Sequence, residues 1–129
     1  MTFSIGQNVI EIEIRALNLL KKSISKVQFE KAVSYLYKTS GKIIISGIGK
    51  SGHIGSKISS TLSSIGSSSF FLHPSEANHG DLGMIKKEDC MILISNSGES
   101  SELLNLILFC KKIKIPIISI TSEAKSTLA

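Results

Sequence analysis

The segment Lys42–Gly52, KIIISGIGKSG, constrains the chain more than any other, because it writes a strand, a sharp turn and a helix start in immediate succession. Ile43, Ile44 and Ile45 form a β-branched run without polar alternation, which suits a strand covered on both faces in a parallel sheet. Gly47, Gly49 and Gly52 follow, with Lys50 and Ser51 between them. Glycine permits positive φ and close approach of backbone to a ligand, and a helix starting here directs unpaired N–H groups into the same space. With the Lys50 cation added, the local physics asks for an anion, most simply a phosphate. A second loop of this design, Asn96-Ser97-Gly98-Glu99-Ser100-Ser101-Glu102, follows the apolar run Cys90–Ile94.

Other readings of the first loop fit less well. A Walker A loop needs glycine where Ile44 stands. Gly47, Gly49 and Gly52 satisfy the spacing of a dinucleotide fingerprint, but that fingerprint wants an acid at the end of the next strand for the ribose hydroxyl. Here the strand expected over Ser68–Leu72 runs into His73-Pro74, and Glu76 comes only later, in a loop. A glycine turn that merely joins strand to helix is the plain alternative, and the second polar loop weighs against it.

The rest of the pattern supplies the frame. Ile5, Val9, Ile12, Ala16, Leu19 and Leu20 recur at helical spacing, predicting a helix over Ile5–Lys22. A second helix is predicted over Val27–Thr39, with Gly41 as its stop. Strands over Lys42–Ser46, Ser68–Leu72, Cys90–Ser95 and Pro116–Thr121 then alternate with helices over Gly52–Ser64 and Ser100–Lys112. Such alternation implies an α/β fold with a parallel sheet and right-handed crossovers, binding ligands at the carboxyl ends of its strands. Both polar loops belong to that edge. So does the long polar stretch from His73 to Ile85, which carries His73, Glu76, His79 and Asp81 and is expected to be a functional loop.

Composition narrows the class further. The 129 residues suit one domain, with a core that is largely aliphatic because aromatics make up only 5%. The net charge of +5 is spread over separate lysines with no interleaved aromatics, so nucleic acid is not an expected partner, while a small anion is. Cys90 and Cys110 fall in predicted core segments and read as unpaired thiols of a reducing compartment, not a disulfide or metal site. Glu11 and Glu13 interrupt the first apolar segment, which does not suit a signal peptide, and no uncharged run approaches a membrane span. The expectation is a cytoplasmic protein.

Three blocks taken together, GIGKSGHIGSK, FFLHPSEANHGDLGMI and ISNSGESSEL, resemble the sugar isomerase (SIS) domain of bacterial arabinose-5-phosphate isomerases over about Lys42–Thr121. The resemblance implies a Rossmann-like SIS domain that interconverts ribulose 5-phosphate and arabinose 5-phosphate, the precursor of Kdo in lipopolysaccharide or capsule. It implies no cofactor and no metal. Lys50, His79 and Glu102 match the family's catalytic positions, and Gly49, Ser51, Ser95, Ser97, Ser100 and Ser101 its substrate- and phosphate-binding loops. It also implies a homodimer or homotetramer, with the helix Ile5–Lys22 as a contact. Residues 1–40 are then a helical segment of the SIS domain and 41–129 its α/β core. Glu102 also suits the first turn of a helix by its charge, and Asn96 with Glu99 has capping-box spacing.

Two departures from the family pattern stand out. Ser64-Ile65-Gly66-Ser67 replaces the usual Ser-Thr-Gly-Thr turn, and Ala129 stops short of the helices and the paired cystathionine-β-synthase (CBS) domains that full-length members carry. A chain of this length is therefore expected to be an inefficient isomerase by itself. A non-catalytic SIS module that senses sugar phosphates is the alternative.

Overall fold

Four strands, all parallel, build the sheet that organises the chain. The structure is a computed structural model and describes residues 2–129. Two compact units divide within the second helix, at residues 1–34 and 35–129. The first unit holds α1 (Thr2–Ser23) and most of α2 (Lys26–Lys38). No residue of α1 is buried, and Ile5, Val9, Ile12, Leu19 and Leu20 all stand exposed.

The second unit runs β1 (Ile43–Gly47), α3 (Lys50–Ser64), β2 (Ser69–Phe71), α4 (Pro74–Asn78), β3 (Cys90–Ile94), α5 (Leu104–Ile113) and β4 (Ile117–Ile120). Short 3₁₀ turns occupy Asp81–Met84 and Ser101–Leu103. The strand order is β2-β1-β3-β4. Ile45 lies opposite Phe71 on one side and Ile92 on the other, while Gly47 lies opposite Ile94. The chain thus leaves β1 toward β2 and later returns past it to β3, which makes the β1–β3 boundary the switch point where doubly wound sheets open a ligand crevice.

Each face of the sheet buries its own cluster, as the unbroken apolar strands require. Ile43, Ile45, Ile92 and Ile94 pack with Ile58 and Leu62 of α3 and Leu36 of α2. Ile44, Met91 and Leu93 pack with Ala77 of α4 and Leu103, Leu106 and Cys110 at or within α5. At the amino edge Asp89, only 2% exposed, ties two strand starts together. Its carboxylate accepts the Lys42 N–H at 2.7 Å and the Lys86 N–H at 2.8 Å, and the Lys42 ammonium lies 3.9 Å away.

Several expectations are corrected. The helix α2 ends at Lys38, before Gly41, and a Cβ on Gly41 would strike the Asp89 carboxylate and the Glu88 backbone. That glycine serves strand packing, not helix termination. The stretch after His73 is not an open loop: Pro74 sits in the first turn of α4 and the His73 imidazole caps it, its Nδ1 accepting the Ser75 N–H at 3.2 Å. The last helix begins as a 3₁₀ turn and becomes α-helical only at Leu104. Residues 121–129 form turns, with no helix among them.

Candidate active site

The β1 loop is shaped by one glycine in particular. Gly49 adopts φ 57° as the N-cap of α3 and offers that helix no side-chain cap, and its first-turn N–H groups meet no acceptor among the described residues. Gly47 and Gly52 do a different job from the one expected of them. A Cβ on Gly52 would lie 2.8 Å from the Gly47 carbonyl oxygen, and one on Gly47 3.0 Å from that of Ile94. They let α3 cross tightly over β1, and this places Lys50 and Ser51 at the carboxyl edge. Lys50 is exposed and Ser51 half-buried. Beside them a cleft of about 310 Å³ is lined by Gly49, Gly52, His53, Ser56, Phe71 and His73. His53 and Ser56 follow Gly49 along one helix face. Their i+4 and i+7 spacing was a signal available in the sequence.

The β3 loop is the more elaborate of the two. Ser95 is buried, and its hydroxyl accepts the Gly98 N–H at 3.1 Å and shares a 2.8 Å hydrogen bond with Ser100 Oγ. Gly98, at φ 68°, turns the chain. Ser97 Oγ accepts the Glu99 N–H at 3.2 Å. The N–H groups of Ser100, Ser101 and Glu102 meet no acceptor among the described residues, so the start of the 3₁₀–α5 helix presents free donors. The buried Ser95 hydroxyl therefore braces the loop from within, while Ser97 is exposed and Ser100 half-buried.

The two acids of this loop differ in a way their spacing did not reveal. Glu99 forms no capping box with Asn96. Its carboxylate instead accepts the Thr127 N–H at 2.7 Å and the Thr127 hydroxyl at 2.6 Å. Those bonds, the hydroxyl's first, hold the Glu99 carboxyl below the usual carboxylate range. Their stabilisation is present above the ordinary glutamate pKa and is lost as pH falls through the depressed value. Glu102 is exposed, and among the described residues its carboxylate accepts only the Ser101 hydroxyl, at 3.1 Å. It is the acid of this loop that remains uncommitted to the backbone.

His79 is exposed at the C-cap of α4, two residues ahead of the 3₁₀ turn at Asp81–Met84. The helix carrying its segment is linked to α5 by the Asn105 amide, which donates to Asn78 Oδ1 at 2.9 Å. Beneath the loops, Ser46 is fully buried and its hydroxyl finds no hydrogen-bond partner. No cluster of three metal-ligating side chains occurs among the described residues.

A doubly wound parallel sheet whose switch point carries two polar loops and two helix starts defines an α/β domain suited to small anionic ligands. Comparison with known proteins makes the assignment specific. The family model for the SIS domain matches residues 35–129, and the chain belongs to that family. It is 47% identical over 124 residues to "Arabinose 5-phosphate isomerase KdsD" of Salmonella typhi, covering 96% of this chain and 38% of that protein. The protein of the same name from Francisella tularensis is 50% identical over 121 residues, 92% of this chain and 37% of the relative. The chain thus spans under two fifths of the length of these curated relatives. Among solved structures, Escherichia coli CFT073 c3406 in complex with arabinose 5-phosphate superposes with a TM-score of 0.90 at 38% identity, covering 98% of this chain and 67% of that one.

Proposed function

We propose that this chain is the SIS portion of an aldose–ketose isomerase that interconverts ribulose 5-phosphate and arabinose 5-phosphate in the cytoplasm, on the route to Kdo for lipopolysaccharide or capsule. One observation carries the reading. The Ser97 and Ser100 hydroxyls and the free N–H groups of Ser100, Ser101 and Glu102 share the β1–β3 switch point with the loop of Lys50 and Ser51. The 38% identical neighbour in complex with arabinose 5-phosphate supports the choice of ligand.

The chemistry follows from what the conversion demands. Moving a proton between adjacent carbons passes through an enediol, so the site must take up a carbon proton, return it next door and stabilise the negative oxygen that develops. The phosphate supplies binding energy remote from the reacting carbons. In this proposal it lies on Ser51, Ser97, Ser100 and the helix-start N–H groups, with Ser95 and Gly49 fixing the two loops behind it. Lys50 stabilises the developing oxyanion. Glu102, the free carboxylate of the loop, carries the proton, and His79 orients the sugar hydroxyls. No cofactor or metal is required by this scheme.

The exposed apolar stripe of α1 supports a homodimer or homotetramer, as residues of that kind are normally covered in a stable assembly. The partners are then a pentose phosphate and further copies of the chain, without nucleic acid or membrane. No helix among the described residues is long and apolar enough to cross a membrane. The test is a turnover assay with ribulose 5-phosphate on the full chain. Slow formation of arabinose 5-phosphate is expected. Saturable binding without turnover would replace the enzyme by the sensing module.

A further inference from the structure

Three acceptors of the β3 loop, the Asn96 and Gly98 carbonyls and the Glu99 carboxylate, bond to residues 121–128, while the Glu102 carboxylate bonds to the Ser101 hydroxyl. The Asn96 carbonyl takes three donors from that segment, the Ser122 hydroxyl at 2.7 Å, the Ser122 N–H at 3.1 Å and the Thr121 hydroxyl at 3.1 Å. The Gly98 carbonyl accepts the Leu128 N–H at 3.1 Å. The Glu99 carboxylate accepts both donors of Thr127. Among the described residues the N–H groups of Ser100, Ser101 and Glu102, at the start of the helix, meet no acceptor. An oxygen of Asn96, Gly98 or Glu99 turned toward a bound phosphate would repel it, and the segment 121–128 holds all three elsewhere.

We infer that Glu99 is a positioning residue for anion binding, its carboxylate clasped by Thr127 so that the N–H groups of Ser100, Ser101 and Glu102, and not the Glu99 carboxylate, face the phosphate. The inference rests on the proposed site and adds to it a residue that does not itself touch substrate. Glu99 is exposed, so its bonds contribute no core burial. At Gly98 an added Cβ would run into the Ser126 and Thr121 side chains. What the clasp fixes is the direction of the loop. If it opens, a free carboxylate swings beside the anion site and the loop loses its register.

The test uses the full chain with Glu99→Ala, Glu99→Gln, Thr127→Val, Thr127→Ser and the double variant Glu99→Ala/Thr127→Val, each checked by its melting temperature. Glu99→Ala, which loses both bonds to Thr127, should raise KM for the sugar phosphate and the inhibition constant of inorganic phosphate by a factor of about ten, and Thr127→Val, which keeps the Thr127 N–H bond, should raise both by a smaller factor. The change should fall on KM and not on kcat. The double variant should be no worse than Glu99→Ala, because the Thr127 side chain acts only through that carboxylate. Thr127→Ser, which keeps the hydroxyl, should restore the parent values, and Glu99→Gln should fall between. Unchanged KM and phosphate inhibition, additive losses, or a fall in kcat alone would overturn the inference. If the chain turns over no sugar phosphate, the isomerase reading fails separately. Inorganic phosphate binding followed at the amides of residues 96–102 then decides the clasp: weakening in Glu99→Ala supports it, and equal affinity overturns it.

Discussion

Lys50 is the residue on which the proposed chemistry leans hardest, and it contributes little to the fold. It is exposed at the start of α3, outside both core clusters. Lys50→Ala should therefore lower turnover by about 10²–10³-fold, the range for removing one oxyanion-stabilising group, while the melting temperature stays within a degree or so of the parent. Steady-state kinetics and a thermal melt on one preparation check both halves. The cysteines invert that pattern, being deep in the core and chemically idle. Burial raises the Cys90 thiol, with a hydrogen bond to Thr39 opposing it, and pushes Cys110 up to about 12. Both should resist alkylation in the native protein at pH 8 and react at once in denaturant, as mass spectrometry would read. The sequence already marked these as core thiols by the apolar runs around them. It did not separate Glu99 from Glu102, since the residue that claims Glu99 lies 28 positions away in a stretch without regular structure.

At the scale of elements, the strand–turn–helix of β1 and α3 was legible because each part has a local cause. β-branched residues favour the strand, a positive-φ glycine the turn, and small residues the helix crossing. Which glycine does which was not legible, because Gly52 and Gly55 answer to atoms of other elements. A Cβ on Gly55 would lie 3.0 Å from Ile45 Cγ2 and 3.1 Å from the Phe71 ring. Gly52→Ala and Gly55→Ala should each cost about 1–3 kcal/mol by overpacking, measured by chemical denaturation. Gly83→Ala meets nothing within 4 Å and should be close to neutral. The helix α4 escaped prediction because its five residues, PSEAN, are too few to show a period. It exists through Pro74, the His73 cap and the burial of Ala77 against the sheet.

For the whole molecule, the pattern of the strands predicted the parallel sheet, and the strand order β2-β1-β3-β4 brings to its centre the two loops that the sequence singled out. Assembly is the next expectation at this scale. Phe3, Ile10 and Leu17 lie on another face of α1 by the helical period and are exposed as well, Phe3 by 79%. Light scattering on the full chain should report a dimer or tetramer, and Ile12→Glu with Leu19→Glu should shift it toward monomer without unfolding residues 35–129. A soluble parent monomer would contradict this. The most direct measurement of the central claim is a crystal structure of the chain soaked with arabinose 5-phosphate. Phosphate density is expected within hydrogen-bonding distance of Ser97 Oγ, Ser100 Oγ and the N–H groups at the start of the helix after Ser100, with the sugar extending toward Lys50. Ligand density at the amino edge near Asp89, with both loops empty, would contradict it.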